Sequence, residues 1–450
     1  MSLMGRRRPI VLYQPRDQGA WMPLGLVALG SQLSGEQVVI VDGRFELAPE
    51  ARIVELVRDA SCLGVSVRTG PPLRDALRVS GAARAANPRL TVFWGGPHAS
   101  RAPESCLATG VVDACALGAG EQSLVSALRT IRGGRSLAEV PGLVVRDGPR
   151  GEAEPLPEAQ RTACARYALI DVERHFEARG ARRLDYCSSR GVREQGWQGL
   201  PADRVLAETA ELAERHSLSE VLFRDEDFFA DPARADAIVG GLGEAPGRLG
   251  WRVSARPEDV VNGGQQRLAQ MAHSGCRGVV VIPPADVPPA GPLRDGIILA
   301  ARRLHDAGLV ARFELRIGRP GHELTSVAAA VSLARALCAI DAHFETPIGR
   351  LEDPPEPATP GQPSLALEAW AARDEAPWSD LRAERRLRRA AFYFSEAQRA
   401  PRRRPSRQLL RMLSLLRVRL GFFGIDVERR LVDASALLRT GRPRSGPQAD

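Results

Sequence analysis

The chain of 450 residues contains no lysine, and all 62 of its basic residues are arginine. This absence excludes a Schiff-base lysine and the lysine of a P-loop, and with them pyridoxal enzymes and Walker-type NTPases. There is no run of about 18 apolar residues, so the sequence predicts no membrane-spanning helix. The N-terminus lacks the apolar core and cleavage site of a secretory signal, and we therefore expect a cytoplasmic protein.

Cysteine pairs at metal-ligand spacing are also lacking. The seven cysteines are scattered, and no two of them form a CxxC or CxxxC pair. Such a set is typical of reduced and mostly buried thiols. The sequence also lacks HExxH, GxSxG and any His pair at metal-ligand spacing, so it carries no local signature of a zinc protease or a serine hydrolase.

The net charge of +8 is unevenly distributed, because residues 381–420 hold 13 arginines and only two acidic residues. A Pro-rich break at 353–364 precedes this segment, and amphipathic patterns follow it. We therefore expect a helical, Arg-rich C-terminal domain over 353–450. Its charge indicates a solvated helix face or a surface for an acidic substrate, a carrier protein or an anionic membrane. The segment has few aromatic residues, so nucleic-acid binding is not expected.

The first 145 residues alternate between strand-like and helix-like stretches. Five short apolar runs rich in β-branched residues read as strands, with amphipathic segments between them. The predicted strands are 9–14, 37–42, 61–67, 90–95 and 112–117, and the predicted helices are 22–34, 49–59, 72–87 and 121–132. This alternation predicts a parallel, doubly wound α/β sheet. Residues 141–148 (PGLVVRDG) are predicted to form a small hairpin before a linker over 146–181.

A second alternation occupies residues 182–352. It has six strand-helix steps at roughly 30-residue spacing, too few for a closed eightfold barrel, and predicts an open partial barrel. Its reactive face should be the carboxyl ends of the strands. The predicted strands are 183–189, 220–224, 249–254, 277–282, 311–317 and 341–346, and the predicted helices are 202–216, 232–243, 264–274, 292–307 and 325–338.

Several stretches resemble the cobalamin-binding radical S-adenosylmethionine (SAM) family in the order found there. In the first domain they are WMPLGLVALGSQL, VVIVDGR, GVSVRTG, VFWGGPHAS and VDACALGAGEQSL. In the second they are CSSRG, VLFRDEDFFADPARADAIVGGL, WRVSARPEDV, LAQMAHSGCRGVVV and ELRIGRPGHELTSVAAAVSLARAL. The resemblance implies a Rossmann-like cobalamin-binding domain over 1–145 and a (βα)6 partial TIM barrel of radical SAM type over 182–352.

The resemblance also implies a cofactor site. Ser66, Arg68 and Thr69 would lie near the lower face of the corrin, although a guanidinium such as that of Arg68 cannot coordinate cobalt. The Gly95-Gly96 pair would let the backbone approach a flat macrocycle. Further candidates for cofactor binding are His98 in the same loop, Gly318 in a glycine turn, and the acidic run Asp225, Glu226 and Asp227, whose counterparts in relatives approach the amino group of SAM. By position alone, Tyr186, Arg190 and Glu345 are candidates for catalytic residues.

The chain departs from the family at the residues that bind its iron–sulfur cluster. The family has CxxxCxxC directly after SSRG, and here the aligned positions hold Val192, Gly196 and Gly199. None of these side chains binds iron, so we expect no four-iron four-sulfur cluster and no metal ligands there. A Gly-x-Glu-Ser stretch that contacts SAM in relatives is replaced by residues 282–286 (IPPAD). Trp197 falls inside the former cluster loop, where an indole can fill the vacated volume.

Three functional readings follow. The first is a cluster-less cobalamin-binding enzyme acting on a small or carrier-bound biosynthetic intermediate, with methyl transfer through cobalamin and without radical cleavage of SAM. Whether SAM still binds is left open. The second is a non-catalytic partner of an intact radical SAM homologue. The third is a cleft that has lost cobalamin and binds another ligand.

Overall fold

The structure is a computed structural model. It describes residues 8–17, 21–69, 71–146, 148, 166–244, 249–284 and 287–316, together with short stretches between 329 and 345. The chain divides into two compact units, of which the first includes Met1–Ala255 and Gly263–Val279 and the second Arg256–Asn262 and Val280–Pro347. Gly318 and the predicted helical domain over 353–450 lie outside the described residues. Among the residues that the structure describes, no helix has both the length and the apolarity needed to cross a membrane.

The first sheet confirms the predicted parallel topology. Its strands are β1 (Ile10–Gln14), β2 (Val38–Asp42), β3 (Cys62–Ser66), β4 (Thr91–Gly95), β5 (Ala114–Ala116) and β6 (Leu143–Val145). They are ordered β2-β1-β3-β4-β5-β6. Strands β1 to β5 pair in parallel, whereas β6 pairs antiparallel with β5. The predicted hairpin at 141–148 is therefore, in the described residues, a single edge strand, because its apolar run extends the sheet.

Helices cover both faces of this sheet. They are α1 (Leu24–Gln32), α2 (Pro49–Val57), α3 (Pro71–Ala86), the short α4 (Pro97–Arg101) and α5 (Pro103–Leu107), and α6 (Glu121–Arg132). Strand β1 is buried along its whole length. Val11 and Tyr13 belong to one hydrophobic core, and Ile10 and Leu12 belong to another. Since successive side chains of a strand point to opposite faces, the apolar residues of β1 contribute alternately to two cores. Helices α4 and α5, each of which begins with a proline, were not predicted from the sequence.

The second half confirms the six predicted strands, and helices follow the first four of them in the described residues. Its main strands are β7 (Arg183–Tyr186), β10 (Glu220–Phe223), β11 (Gly250–Ala255), β12 (Cys276–Val281), β13 (Ala311–Arg316) and β14 (Asp341–Glu345). They form an open sheet in the order β14-β13-β12-β11-β10-β7. The helices are α7 (Val172–Arg179), α8 (Ala202–His216), α9 (Pro232–Glu244), α10 (Pro257–Asn262), α11 (Gly264–His273) and α12 (Pro292–Asp306). Most of the predicted helix over 325–338 lies outside the described residues.

A β-hairpin stands between β7 and α8, where the sequence analysis expected a loop. Strands β8 (Ser189–Val192) and β9 (Gln195–Gly199) pair antiparallel. The first barrel strand ends at Tyr186, so the prediction that it extends to residue 189 is wrong by three residues. Gly191 and Gly196 have φ of 73° and 62°, a left-handed conformation that favours glycine. These glycines let the chain turn back on itself.

Candidate functional site

A cavity of about 340 Å³ lies in the first unit, at the carboxyl edge of the first sheet. The sheet order reverses direction between β1 and β3. Ligands of open α/β sheets bind beside such a switch point. Apolar residues of the strands line the inner part of the cavity, namely Leu12, Val65, Phe93 and Trp94. The barrel side of the wall comprises Tyr186–Arg190, Gln198–Leu200 and Glu208.

Glycines form much of the wall on the side of the first domain. Gly25, Gly95 and Gly96 all line the cavity. A Cβ at Gly25 would meet no atom within 4 Å, so a side chain there would enter free space. Gly96 has φ of +90°, and a Cβ there would lie 3.0 Å from the Val67 carbonyl oxygen. Glycine is therefore required at residue 96 for close packing against the Val67 backbone, and the approach of a macrocycle to Gly95 and Gly96 stays a prediction.

The other cofactor-binding candidates of the first domain take different positions. Ser66 lines the cavity. Arg68 instead lines an adjacent hollow of about 220 Å³ and lies 3.4 Å from Asp17. Thr69 and His98 line neither space. The Thr69 hydroxyl lies 3.1 Å from Nδ1 of His98, so this pair supports the loop behind the glycine wall.

His98 is fully buried. Burial lowers the pKa of its imidazole to about 4, with a further contribution from the nearby charge of Arg101. The imidazole is therefore neutral at physiological pH. In this form its Nδ1 shares a hydrogen bond with the hydroxyl of Thr69.

Two buried carboxylates connect the first domain to the barrel side: Glu121 lines the cavity, and Asp185 lines the adjacent hollow. Asp185 on β7 is fully buried and accepts hydrogen bonds from the Met22 amide at 2.7 Å and from Nε of Arg224 at 2.7 Å. Glu121, in the first turn of α6, forms an ion pair with Arg190 on the hairpin. The predicted catalytic residue Arg190 therefore contacts a carboxylate of the first domain. Both partners of this pair line the cavity.

Tyr186 is buried, whereas Arg190 is exposed. Its hydroxyl donates to Oε2 of Glu208 at 2.7 Å, and Arg204 donates to the other oxygen at 2.7 Å. Burial, followed by the charge of Glu208, raises the pKa of Tyr186 well above its ordinary value. The phenol therefore keeps its proton and holds the carboxylate at the cavity wall. Only the backbone of Glu345 is described, as the last residue of β14.

The acidic run after β10 is divided between two environments. Asp225 is buried and accepts hydrogen bonds from Ser188, at 2.8 Å to the hydroxyl, and from Ser189. Burial raises the pKa of Asp225 despite these donors. Asp227 accepts from Arg193 in the turn of the hairpin, at 2.6 and 2.8 Å.

Glu226 is exposed, and none of the three acidic residues lines the cavity. Asp225 and Asp227 therefore hold the hairpin.

The three positions that align with cluster cysteines lie on this hairpin. Val192 ends β8, Gly196 lies in β9 and Gly199 ends β9. Cys187 precedes them, and its thiol donates to the Ser189 carbonyl at 2.9 Å. Burial raises the pKa of Cys187 to about 12, so it is a protonated thiol. Within the described part of the chain, no three His, Cys, Asp or Glu side chains are grouped as a metal site.

Many residues of the cavity wall were not candidates in the sequence, among them Glu121, Tyr167, Gln198 and Glu208. Glu121 had a signal, because it opens a helix directly after the glycines of GAGE, where a carboxylate suits the helix dipole. Glu208 lies inside an ordinary amphipathic helix and carried no such signal.

Comparisons with known proteins agree with this arrangement. Residues 17–128 match the B12 binding domain family. A curated relative, the uncharacterized methyltransferase PH0819 of Pyrococcus horikoshii, is 25% identical over 277 residues, which is 57% of this chain and 59% of that protein. The chain thus spans less than two thirds of that relative.

Two solved structures share the fold. TsrM from Kitasatospora setae, a radical SAM methyltransferase solved with cobalamin and a four-iron four-sulfur cluster, has a TM-score of 0.61 and 18% identity over 76% of this chain and 72% of that one. The cobalamin-dependent SAM radical enzyme OxsB has a TM-score of 0.61 and 15% identity, over 82% of this chain and 55% of that one.

These findings define a class. The chain carries a B12-binding domain and has the fold of cobalamin-dependent radical SAM enzymes. The resemblance seen in the sequence is therefore confirmed for the B12-binding domain and for the fold. The glycine-lined cavity lies at the edge of the matched domain.

Proposed function

We propose that this chain is a cobalamin-binding enzyme that transfers a methyl group to a small or carrier-bound intermediate without an iron–sulfur cluster. The observation that carries the proposal is the glycine-lined cavity between the first sheet and the barrel-side hairpin. Its apolar floor and bare backbone rim suit the flat face of a large macrocycle. Cobalamin, when bound, supplies a cobalt centre able to accept and pass on a methyl group.

Residues of this chain would hold the cofactor from one side. Gly25, Gly95 and Gly96 allow close backbone approach, and Ser66 offers a hydroxyl at the same edge. The ion pair between the exposed Arg190 and the buried Glu121 links the opposite wall to the first domain. The bond between Tyr186 and Glu208 fixes a carboxylate on the barrel side. This carboxylate is placed to accept a proton from a substrate that loses one as it is methylated.

The cluster does not fit the residues present. Three thiolates bind a cluster that keeps its fourth iron open for SAM. No thiolate is supplied here by Val192, Gly196 or Gly199. The Cys187 thiol donates a hydrogen bond to a backbone carbonyl. This supports a polar reaction in place of the reductive cleavage of SAM.

A binding experiment tests the cofactor assignment. Purified protein is titrated with hydroxocobalamin, desalted and examined by UV–visible spectroscopy. We expect retained cobalamin with a shifted spectrum, and loss of that retention in Gly25→Leu, whose new side chain would occupy the cavity. Gly81→Leu is the matched control, because Gly81 also lies in a helix and a Cβ there would meet no atom within 4 Å. Wild-type protein that retains no cobalamin would support the reading of a repurposed cleft.

A second assay tests the reaction class. The cobalamin-loaded protein is incubated with SAM and a low-potential reductant, and 5′-deoxyadenosine is measured. We expect none above the level of a heat-inactivated sample. Stoichiometric 5′-deoxyadenosine would contradict a cluster-less reaction.

One observation favours the alternative of a non-catalytic partner. Asp225 and Asp227, whose counterparts in the family approach SAM, hold the hairpin here. Pull-down from the native host separates the two readings. A cysteine-complete homologue recovered in stoichiometric amount, together with no retained cobalamin, would favour the partner role.

A further inference from the structure

Two large side chains pack together at the hairpin that carries the three former cluster positions. Trp197 lies on β9 itself, and Arg234 lies in α9. The guanidinium carbon of Arg234 lies 5.5 Å from the centroid of the Trp197 ring and 5.9 Å from that of Phe228. Arg234 is only 9% exposed. A desolvated guanidinium stacked between two aromatic rings is among the stronger cation–π arrangements.

Both residues also form hydrogen bonds to backbone carbonyls around the hairpin. Arg234 donates to the Leu200 carbonyl at 2.6 Å and to the Ser188 carbonyl at 2.8 Å. The indole Nε1 of Trp197 donates to the Asp227 carbonyl at 2.9 Å. Ser188 and Leu200 line the cavity. Arg234 and Trp197 therefore fix the wall of the cavity from behind.

A cysteine at position 199 would require Trp197 and Arg234 to move, and a cysteine at position 196 would be strained. A Cβ at Gly199 would lie 2.5 Å from Cη2 of Trp197 and 2.9 Å from Nε of Arg234. Gly196 has φ of +62°, which a cysteine adopts only with strain. Side chains of the protein thus fill the space that a cysteine in place of Gly199 would need.

We propose that Trp197 and Arg234 form a plug that takes the place of the iron–sulfur cluster and supports the hairpin wall of the cavity. The inference rests on the proposed absence of a cluster and extends it. Asp225 and Asp227 belong to the same arrangement, because they bind Ser188 and Arg193 at the base and turn of the hairpin. The resemblance assigned these carboxylates to SAM, and here they are positioning residues.

Hydrogen exchange of the cofactor-free protein tests the plug. We expect Arg234→Ala to raise the exchange rates of the amides in 189–199 by roughly tenfold or more, as a loss of about 1.4 kcal/mol predicts. Trp197→Leu should have the same effect, and it provides a second test if Arg234→Ala does not fold. Arg267→Ala is the control, because Arg267 also lies over a phenylalanine, Phe229, and forms its ion pair with Asp236 in α9. Unchanged exchange in both plug variants would overturn the proposal.

Iron uptake supplies an independent readout. The variant Val192→Cys/Gly196→Cys/Gly199→Cys is reconstituted anaerobically with iron and sulfide beside the cysteine-complete TsrM. We expect the folded triple variant to take up no cluster, as judged by iron content and visible absorbance. Full cluster uptake by this variant would show that the plug does not exclude the cluster. Neither test uses cobalamin, so failure of cobalamin binding leaves the plug standing, and failure of the plug leaves the cofactor assignment standing.

Discussion

Protonation of His98 should destabilise the first unit at mildly acidic pH. The imidazole is fully buried, and its pKa is lowered from 6.5 to about 4. The unfolded chain therefore binds a proton more readily than the folded protein does. The free energy of unfolding is therefore unaffected by the protonation of His98 above its unfolded pKa of 6.5, and it declines as pH falls from 6.5 toward 4.

The magnitude follows from the difference between the two pKa values. A shift of this size corresponds to about 3 kcal/mol over the full titration. Between pH 7.5 and pH 5.5 only part of it is lost, about 1.4 kcal/mol. That is a measurable share of the stability of a typical domain.

The assay compares denaturant unfolding of wild-type protein and His98→Asn at both pH values. Asparagine keeps a polar group near the Thr69 hydroxyl but does not titrate. We expect the difference in unfolding free energy between the two proteins to shrink by about 1.4 kcal/mol at the lower pH. Thr69→Val, which retains the imidazole, should keep the wild-type pH dependence. Parallel stability curves for wild type and His98→Asn would refute the reasoning.

Further predictions concern the barrel-side wall. Tyr186→Phe removes a donor from the half-buried Glu208 carboxylate and should cost about 1–2 kcal/mol in thermal or denaturant unfolding; unchanged stability would contradict the importance of this bond. Arg190→Ala leaves Glu121 buried without its cation. Because Arg190 is partly exposed, the cost should be about 1–2 kcal/mol, below that of a fully buried pair. Arg190→Ala should also release bound cobalamin faster in a chase experiment, and adding Glu121→Gln should restore much of the stability. If Glu121→Gln restores no stability to Arg190→Ala, the unpaired charge of Glu121 is not the cause of the loss.

The sequence predicted the architecture because each strand of the first sheet is a short apolar run. Ile10–Gln14, for example, is buried on both faces, and such runs are recognisable without tertiary information. The Gly95-Gly96 pair was placed at the cavity for a similar reason, since paired glycines at the end of a strand indicate close backbone approach.

The connections within the site could not be predicted in the same way. Asp225 and Asp227 were assigned to cofactor binding by resemblance, but their partners Ser188 and Arg193 are more than 30 positions away in the sequence. The pattern of residues 189–199 is short and glycine-rich, and it gives no alternation that indicates a hairpin. Its conformation depends on tertiary bonds to α9 and to the loop after β10, which no local propensity encodes.

The most direct test of the central claim is the metal content of one sample. The protein is incubated anaerobically with hydroxocobalamin, iron and sulfide, desalted, and analysed for cobalt and iron. We predict about one cobalt per chain, as expected for a single B12-binding domain, and no iron above background. Absence of cobalt would contradict the cofactor assignment. About four irons per chain would contradict the proposal that this protein works without a cluster.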